Sequence, residues 1–175
     1  MPAKYPQKKI RKKHLLFSSK SIIIIDMIKI YLDNCCYNRP YDNQSYLRIS
    51  LESQAKLFIQ HLIRVNQLEL VTSYVLEYEN SRNPHISRHD TIEDFFQNAS
   101  EYIGAERNNE VLVLAEQIQV SGIKTADACH IACAELAKCD YFLTTDDRVL
   151  KYKTDKVTIV NPVQFIQIIA EEGIE

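Results

Sequence analysis

The sequence of 175 residues has no tryptophan and only three glycines, and no apolar stretch in it is long. The scarcity of glycine argues against long flexible segments. A membrane span needs about 20 consecutive apolar residues, and none of the apolar runs approaches that length. The isoleucine run at residues 22–25 is bracketed by Lys20 and Asp26, which leaves too short a core for a secretory signal. The chain therefore has the size and composition of one globular domain with a substantial core.

The five cysteines do not predict a disulfide framework, because their number is odd and two of them are adjacent. A reducing cytoplasm fits this usage best. Zinc binding by one group of residues is disfavoured, because the spacing matches no common zinc pattern and small cysteines on an apolar helix face are usually core residues. That group comprises Cys129, His130, Cys133 and Cys139.

Basic residues are concentrated at the start of the chain. The formal net charge is −2, yet residues 1–20 hold seven of the 21 lysines and arginines and no acid. We predict that residues 1–26 form a basic extension, either a poorly ordered or non-native leader or an arm that attracts phosphates. Residues 27–175 are predicted to form one domain, which begins naturally at Met27.

Apolar strands alternate with helical patterns along this domain, which predicts an α/β fold with a mostly parallel central sheet covered on both faces. The loop at residues 35–44 is predicted to be irregular because of Pro40 and its polar residues. Strands are predicted at residues 28–32, 68–71, 102–103, 141–143 and 157–160. Helices are predicted at residues 45–66, 88–99, 106–120, 149–150 and 161–171. Two more are predicted from their caps, one after Thr72 or Ser73 and one after Thr125.

Acidic residues recur where the predicted strands end. Asp33 follows the first strand, Glu77 and Glu79 follow the second, and Asp127 begins the helix that leads into the strand before Asp146. In parallel sheets the functional groups collect at the carboxyl ends of the strands, so we expect these carboxylates to lie together. Each acid alone is also typical of a turn, a helix cap or a solvated helix face.

Converging carboxylates repel one another unless some are protonated or a cation binds among them. Oxygen ligands without a paired histidine favour a hard ion, Mg²⁺ or Mn²⁺. Such an ion polarises a phosphodiester and lowers the pKa of a water, so the pattern indicates a hydrolytic nuclease. His130 is interpreted as a packed helix histidine rather than a metal ligand.

Four segments carry a family resemblance: IYLDN ending after Asp33, TSYVLEYE ending at Glu79, KTADACHIACAE around Asp127 and YFLTTDD around Asp146. Together they resemble the PIN domain family of metal-dependent ribonucleases, which includes VapC-type toxins. The resemblance runs from Met27 to about residue 170 and implies a three-layer α/β/α sandwich, one or two Mg²⁺ or Mn²⁺ ions, and cleavage of RNA that leaves 5′-phosphate and 3′-hydroxyl ends. It also implies homodimers and an antitoxin partner.

The resemblance assigns Asp33, Glu79, Asp127 and Asp146 as catalytic metal ligands. Glu77 could replace Glu79, and Asp147 could replace Asp146. Asn34 and Thr144 are expected to orient the ligands or a water. The loop after Asp33, with Arg39 and Tyr41, could flank the RNA, and exposed tyrosines and arginines could contact it.

Two other functions were considered. The first is a PIN-like module that binds RNA or protein without cutting. The second is a different phosphotransfer enzyme with an aspartate after its first strand. A haloacid-type phosphatase needs a second aspartate where this chain has Cys35, and a receiver-like domain needs an acid pair before Asp33, which is missing.

Overall fold

A computed structural model describes residues 16–18, 21–23, 27–171 and 173. Most of the predicted basic extension, residues 1–26, lies outside the described residues. Two short strands in that region, β1 and β2, pair antiparallel with Leu16 opposite Ile23. The strands of the described chain are β1 Leu16–Ser18, β2 Ser21–Ile23, β3 Ile28–Leu32, β4 Leu68–Ser73, β5 Glu101–Ile103, β6 Tyr141–Leu143 and β7 Thr158–Val160.

The helices of the described chain alternate with these strands as the apolar pattern predicts. They are α1 Asn34–Asn38, α2 Leu47–Arg64, α3 Tyr74–Ser81, α4 Ile86–Phe96, α5 Asn108–Gln119, α6 Thr125–Leu136 and α7 Pro162–Glu171. Short 3₁₀ helices occupy Arg39–Tyr41, Ala105–Arg107 and Val149–Lys151. None of the helices in the described residues is both long and apolar enough to cross a bilayer.

The main sheet has five strands in the order β5-β4-β3-β6-β7, and all four neighbouring pairs are parallel. Helices flank the sheet: α2 packs against β4 and α7, whereas α5 packs against α6, which contacts β4 and β6. This arrangement confirms the predicted α/β fold. Because β3 lies between β4 and β6 and all three are parallel, the carboxyl ends of these three strands lie side by side at one end of the sheet.

The ends of α3 and α5 follow from local chemistry. Ser73 is the N-cap of α3, and its Oγ accepts a hydrogen bond from the backbone N of Leu76 at 3.3 Å. Replacing such a cap typically costs about 1 kcal/mol. Just after α5, Gly122 adopts a φ of +84°, which glycine tolerates without strain. The sequence predicts a cap at Thr72 or Ser73 and a stop at Ser121–Gly122, and the structure shows that Ser73 is the cap and confirms the stop.

Two local predictions were wrong. The segment after Asp33 is helical rather than irregular: it forms α1 and a 3₁₀ helix in which Pro40 stands near the start, and it buries Cys36 and Tyr37. Thr125 does not cap α6 but is its first residue, and its hydroxyl donates to Gln119 Oε1 at 2.9 Å.

The apolar spacing that predicts α2 lies largely on its exposed side. Leu47 is 75% exposed, Leu51 46% and Phe58 43%. The buried side instead carries Glu52, which forms ion pairs with Arg39 and Arg48, and Lys56, whose ammonium lies 5.7 Å from the centre of the Tyr37 ring. These polar groups can be buried because each has a partner.

Candidate functional site

The site lies at the carboxyl ends of the central strands. Asp33 follows β3 directly, Asp146 lies in the turn after β6, Asp127 is in the first turn of α6, and Glu79 is in the last turn of α3. Four acids that are far apart in the sequence thus come from elements around one edge of the sheet.

Asp33 is anchored firmly. It is only 5% exposed, and its Oδ2 accepts hydrogen bonds from the Thr144 hydroxyl at 2.7 Å and the Cys35 thiol at 3.1 Å. Its backbone N donates to the carbonyl of Leu143 at 2.9 Å. Residues after both β3 and β6 therefore fix this carboxylate.

Asp127 has a carboxyl group whose pKa is raised above its usual value. Partial burial is the main cause, and the negative charges of Asp33 and Asp146 add to it. Like charges raise an acid's pKa in this way only when they are close. The charges of Asp33 and Asp146 therefore act on Asp127, and those of Arg148 and His130 offset part of the effect. The region around these three acids is called the acidic pocket below.

Glu79 faces α6 across the site. Its Oε2 lies 3.0 Å from His130 Nε2, and this contact is an ion pair when the imidazole is protonated. The imidazole lowers the pKa of Glu79, and the side chain of Asn34 contributes further.

Behind Glu79, His130 belongs to a buried polar chain. His130 is 1% exposed, and its Nδ1 hydrogen-bonds the hydroxyl of Tyr31 at 2.8 Å. The same hydroxyl lies 2.7 Å from Ser73 Oγ. Burial alone would lower the pKa of His130, but Glu79 and the nearby aspartates raise it on balance. Thus α6, β3 and the cap of α3 together set the position of the Glu79 carboxylate.

The two adjacent acids after β6 have different partners. Asp146 Oδ2 lies 2.5 Å from an Arg148 guanidinium nitrogen, and this pairing lowers the pKa of Asp146 to about 2. Asp147 forms two contacts of 2.7 and 2.8 Å with Arg48 of α2. Asp147 therefore ties the loop to α2, whereas Asp146 is the acid whose charge reaches Asp127.

Of the remaining candidates, Thr144 lies within the site and Glu77 lies away from it. The Thr144 hydroxyl donates to Asp33, and its oxygen accepts from the backbone N of Asp146 at 3.2 Å. Glu77 instead accepts a hydrogen bond from the Tyr102 hydroxyl at 2.6 Å, near β5 at the edge of the sheet.

The donor set suits a hard cation in type, since it consists of carboxylate oxygens in a pocket where they repel one another. However, no three His, Cys, Asp or Glu side chains within the described residues converge closely enough to hold an ion. Arg148 pairs with Asp146, and His130 contacts Glu79, so two of the four acids already have a basic partner. The residues fit a hard ion by donor type, and these two acids would have to exchange their basic partners for it.

Sequence reasoning missed three partners of the acids: Cys35 on Asp33, Arg148 on Asp146 and the link from His130 to Glu79. Arg148 could have been noticed because it lies two residues after Asp146. His130 could also have been noticed, because it lies three residues after Asp127 and therefore on the same face of the helix. Nothing in the sequence indicates the Tyr31 link.

No family model and no curated protein sequence matches the chain. Among solved structures, the chain is similar to the crystal structure of VapBC2 from Rickettsia felis bound to a DNA fragment from their promoter. The identity is 14%, the TM-score is 0.48, and the match covers 77% of this chain and 98% of the other.

Proposed function

We propose that the protein is a metal-dependent endoribonuclease. One observation carries the proposal: Asp33, Asp127 and Asp146 come from separate elements around the carboxyl ends of the central strands. Partial burial and the charges of Asp33 and Asp146 raise the pKa of Asp127 there. Repulsion among these carboxylates destabilises the folded protein, so a divalent ion that binds among them is expected to stabilise it.

The ligands in this proposal are Asp33, Asp127 and Asp146, with Glu79 as the fourth. Mg²⁺ or Mn²⁺, when bound, would polarise the scissile phosphodiester and supply an activated water. The remaining roles belong to the chain. Thr144 and Cys35 hold Asp33, and His130 holds Glu79.

Arg148 has a second role in this proposal. Its guanidinium pairs with Asp146 and is more than half exposed. With Asp146 holding a cation, the Arg148 guanidinium would be free to pair with a phosphate oxygen of the substrate. The resemblance to PIN domains implies that hydrolysis would leave 5′-phosphate and 3′-hydroxyl ends on the RNA.

A second candidate function is binding of RNA or protein without cleavage. The observation that favours it is the pairing of Glu79 with His130 and of Asp146 with Arg148, which neutralises two of the four acids. In that case the pocket would be a structural charge cluster that binds divalent ions weakly.

Partners and location are proposed from the sequence resemblance. They are an RNA substrate, an antitoxin protein that covers the acidic pocket, a second copy of the chain in a homodimer, and the cytoplasm as the place of action. An antitoxin arginine inserted among the acids would neutralise the pocket much as Arg148 pairs with Asp146.

The test is cleavage of single-stranded RNA with Mg²⁺ or Mn²⁺. Asp33→Asn and Asp127→Asn should each lose more than about 100-fold in rate, because each removes an ionic ligand. Asp155→Asn, at an exposed acid outside the pocket, is the matched control and should keep the activity. Wild-type activity in both pocket variants, or activity that survives chelation of divalent ions, would refute the proposal.

A further inference from the structure

A cavity of about 720 Å³ opens between α3, α5 and α6. Its volume falls within the roughly 300–1,000 Å³ of typical ligand sites. Glu79 and Asn34, on the side of the acidic pocket, form part of its lining. A group held in the cavity would therefore lie next to the carboxylate that the proposed function makes a metal ligand.

One wall of the cavity is an aromatic and cationic face of α3. Tyr74 and Tyr78 of α3 and Arg82, which directly follows the helix, are spaced four residues apart and lie on one side. The Arg82 guanidinium lies 5.7 Å from the centre of the Tyr78 ring, and its NH1 donates to the Tyr78 hydroxyl at 3.2 Å. Tyr78 is 61% exposed, so part of its ring is open to a ligand.

The facing walls supply small side chains and an amide. Thr125, Ala126 and Cys129 of α6 leave room opposite the aromatic face. The hydroxyl of Tyr74 donates to Asn108 Oδ1 at 2.7 Å, which fixes both side chains. Asn108 is a lining residue of the cavity, and its amide also carries an NH₂ group that can donate hydrogen bonds.

We propose that this cavity takes an unstacked base of single-stranded RNA next to the cleaved phosphate. The proposal rests on the ribonuclease function proposed above and adds a base-binding site to it. Single-stranded RNA is recognised by stacking of splayed bases on aromatic rings and guanidinium planes, with hydrogen bonds to the base edges. Tyr78 and Arg82 supply the stacking surface, and Asn108 supplies the hydrogen-bond donor.

A protein segment suits the cavity less well than a base. An apolar protein plug would bury the charges of Arg82 and Glu79 without replacing their solvation, which is costly. A nucleotide instead brings a phosphate towards the metal that Glu79 would help to hold, while its base covers the Tyr78 ring.

The test is the affinity for a fluorescein-labelled single-stranded oligoribonucleotide, measured by anisotropy with Mg²⁺. The full chain is used with Asp127→Asn so that the RNA is not cut. Tyr78→Ala should weaken binding about tenfold, which corresponds to the lower part of the range for one stacked base. Tyr78→Phe keeps the ring and should restore the affinity. Tyr46→Ala is the matched control, because Tyr46 is 63% exposed and is not part of the cavity lining.

A second variant tests the same site from the facing helix. Leu112→Trp, on α5, fills the cavity and should weaken RNA binding without removing an aromatic residue. Unchanged affinity in both Tyr78→Ala and Leu112→Trp would overturn the proposal. So would sedimentation data in which Tyr78→Ala turns a dimer into monomers while the affinity per protomer stays the same, because the cavity would then be a protein interface.

The cleavage assay separates this proposal from the ribonuclease proposal. With Asp127 intact, Tyr78→Ala should raise KM about tenfold and change kcat little, since it removes binding rather than chemistry. If the wild-type chain cleaves RNA and Tyr78→Ala has the same KM, only the base site is wrong. If the wild-type chain neither binds nor cleaves RNA, the ribonuclease proposal fails and the base site fails with it.

Discussion

Replacing His130 with leucine tests the link that positions Glu79. The variant keeps a side chain of similar size but loses the hydrogen bond to Tyr31 and the ion pair with Glu79. A buried neutral hydrogen bond is worth about 1 kcal/mol and a contact with a charged group about 1.5 kcal/mol, so His130→Leu should lower the free energy of unfolding by about 2–3 kcal/mol. The contact with Glu79 is placed at the low end of its range because the Glu79 side chain is partly exposed to solvent.

The pH dependence of this loss gives a sharper test than its size. The pKa of His130 is raised from 6.5, so its contribution is fully present below pH 6.5 and is lost as the pH rises through the folded-state pKa. The pKa of Glu79 is lowered from 4.5, so its contribution is present above pH 4.5 and is lost as the pH falls through the folded-state pKa. The difference between wild type and His130→Leu should therefore be largest between these two values.

Urea unfolding at a series of pH values measures this difference directly. Tyr31→Phe is the control, because it removes one hydroxyl from the buried hydrogen-bonded network of His130 and leaves the His130–Glu79 pair in place. Its cost should be about 1–2 kcal/mol, since His130 loses a buried partner, and should vary less with pH. A loss for His130→Leu that is equal at about pH 5.5 and about pH 9 would refute the electrostatic part of the reasoning.

Three further changes have definite expected outcomes. Without divalent ions, Asp127→Asn should raise the free energy of unfolding by up to about 1 kcal/mol, because it removes a carboxylate whose pKa is raised. This gain should vanish at acid pH, where Asp127 is already protonated in the wild-type chain. Thermal unfolding at neutral and at acid pH measures the gain, and a destabilised variant would contradict it. Arg148→Met frees the Asp146 carboxylate and should tighten Mn²⁺ binding a few-fold in calorimetry, whereas weaker binding would show that Arg148 does not compete with the ion. Ser73→Ala removes the cap of α3 and should cost about 1–2 kcal/mol in urea unfolding, a value that an unchanged midpoint would rule out.

The strands and most of the helices could be predicted because their apolar patterns are local, whereas the order of the strands in the sheet was not predicted. The run at β3 and the small residues of α6 indicate buried elements directly, and Ser73 marks a helix start by its own chemistry. The structure of the segment after Asp33 could not be predicted in this way. Its polar residues are typical of a loop, but the burial of Cys36 and Tyr37 outweighs that local preference and the segment is helical.

The buried side of α2 shows a different limit of sequence patterns. Its leucines and Phe58 have regular helical spacing but lie largely on the exposed side, while Glu52 and Lys56 lie inside. Charged side chains can be buried when partners from other elements reach them, and those partners are far apart in the sequence. The same reason explains why the acids of the site could be predicted but their pairing with Arg148 and His130 could not.

The central claim is that the pocket around Asp127 binds a divalent ion. Titration of Mn²⁺ into the full chain by calorimetry tests this claim without any RNA. We predict saturable binding to the wild-type chain, at least about tenfold weaker binding to Asp127→Asn and to Asp33→Asn, and unchanged binding to Asp155→Asn. Equal Mn²⁺ affinity in all four proteins, or no binding to the wild-type chain, would contradict the account.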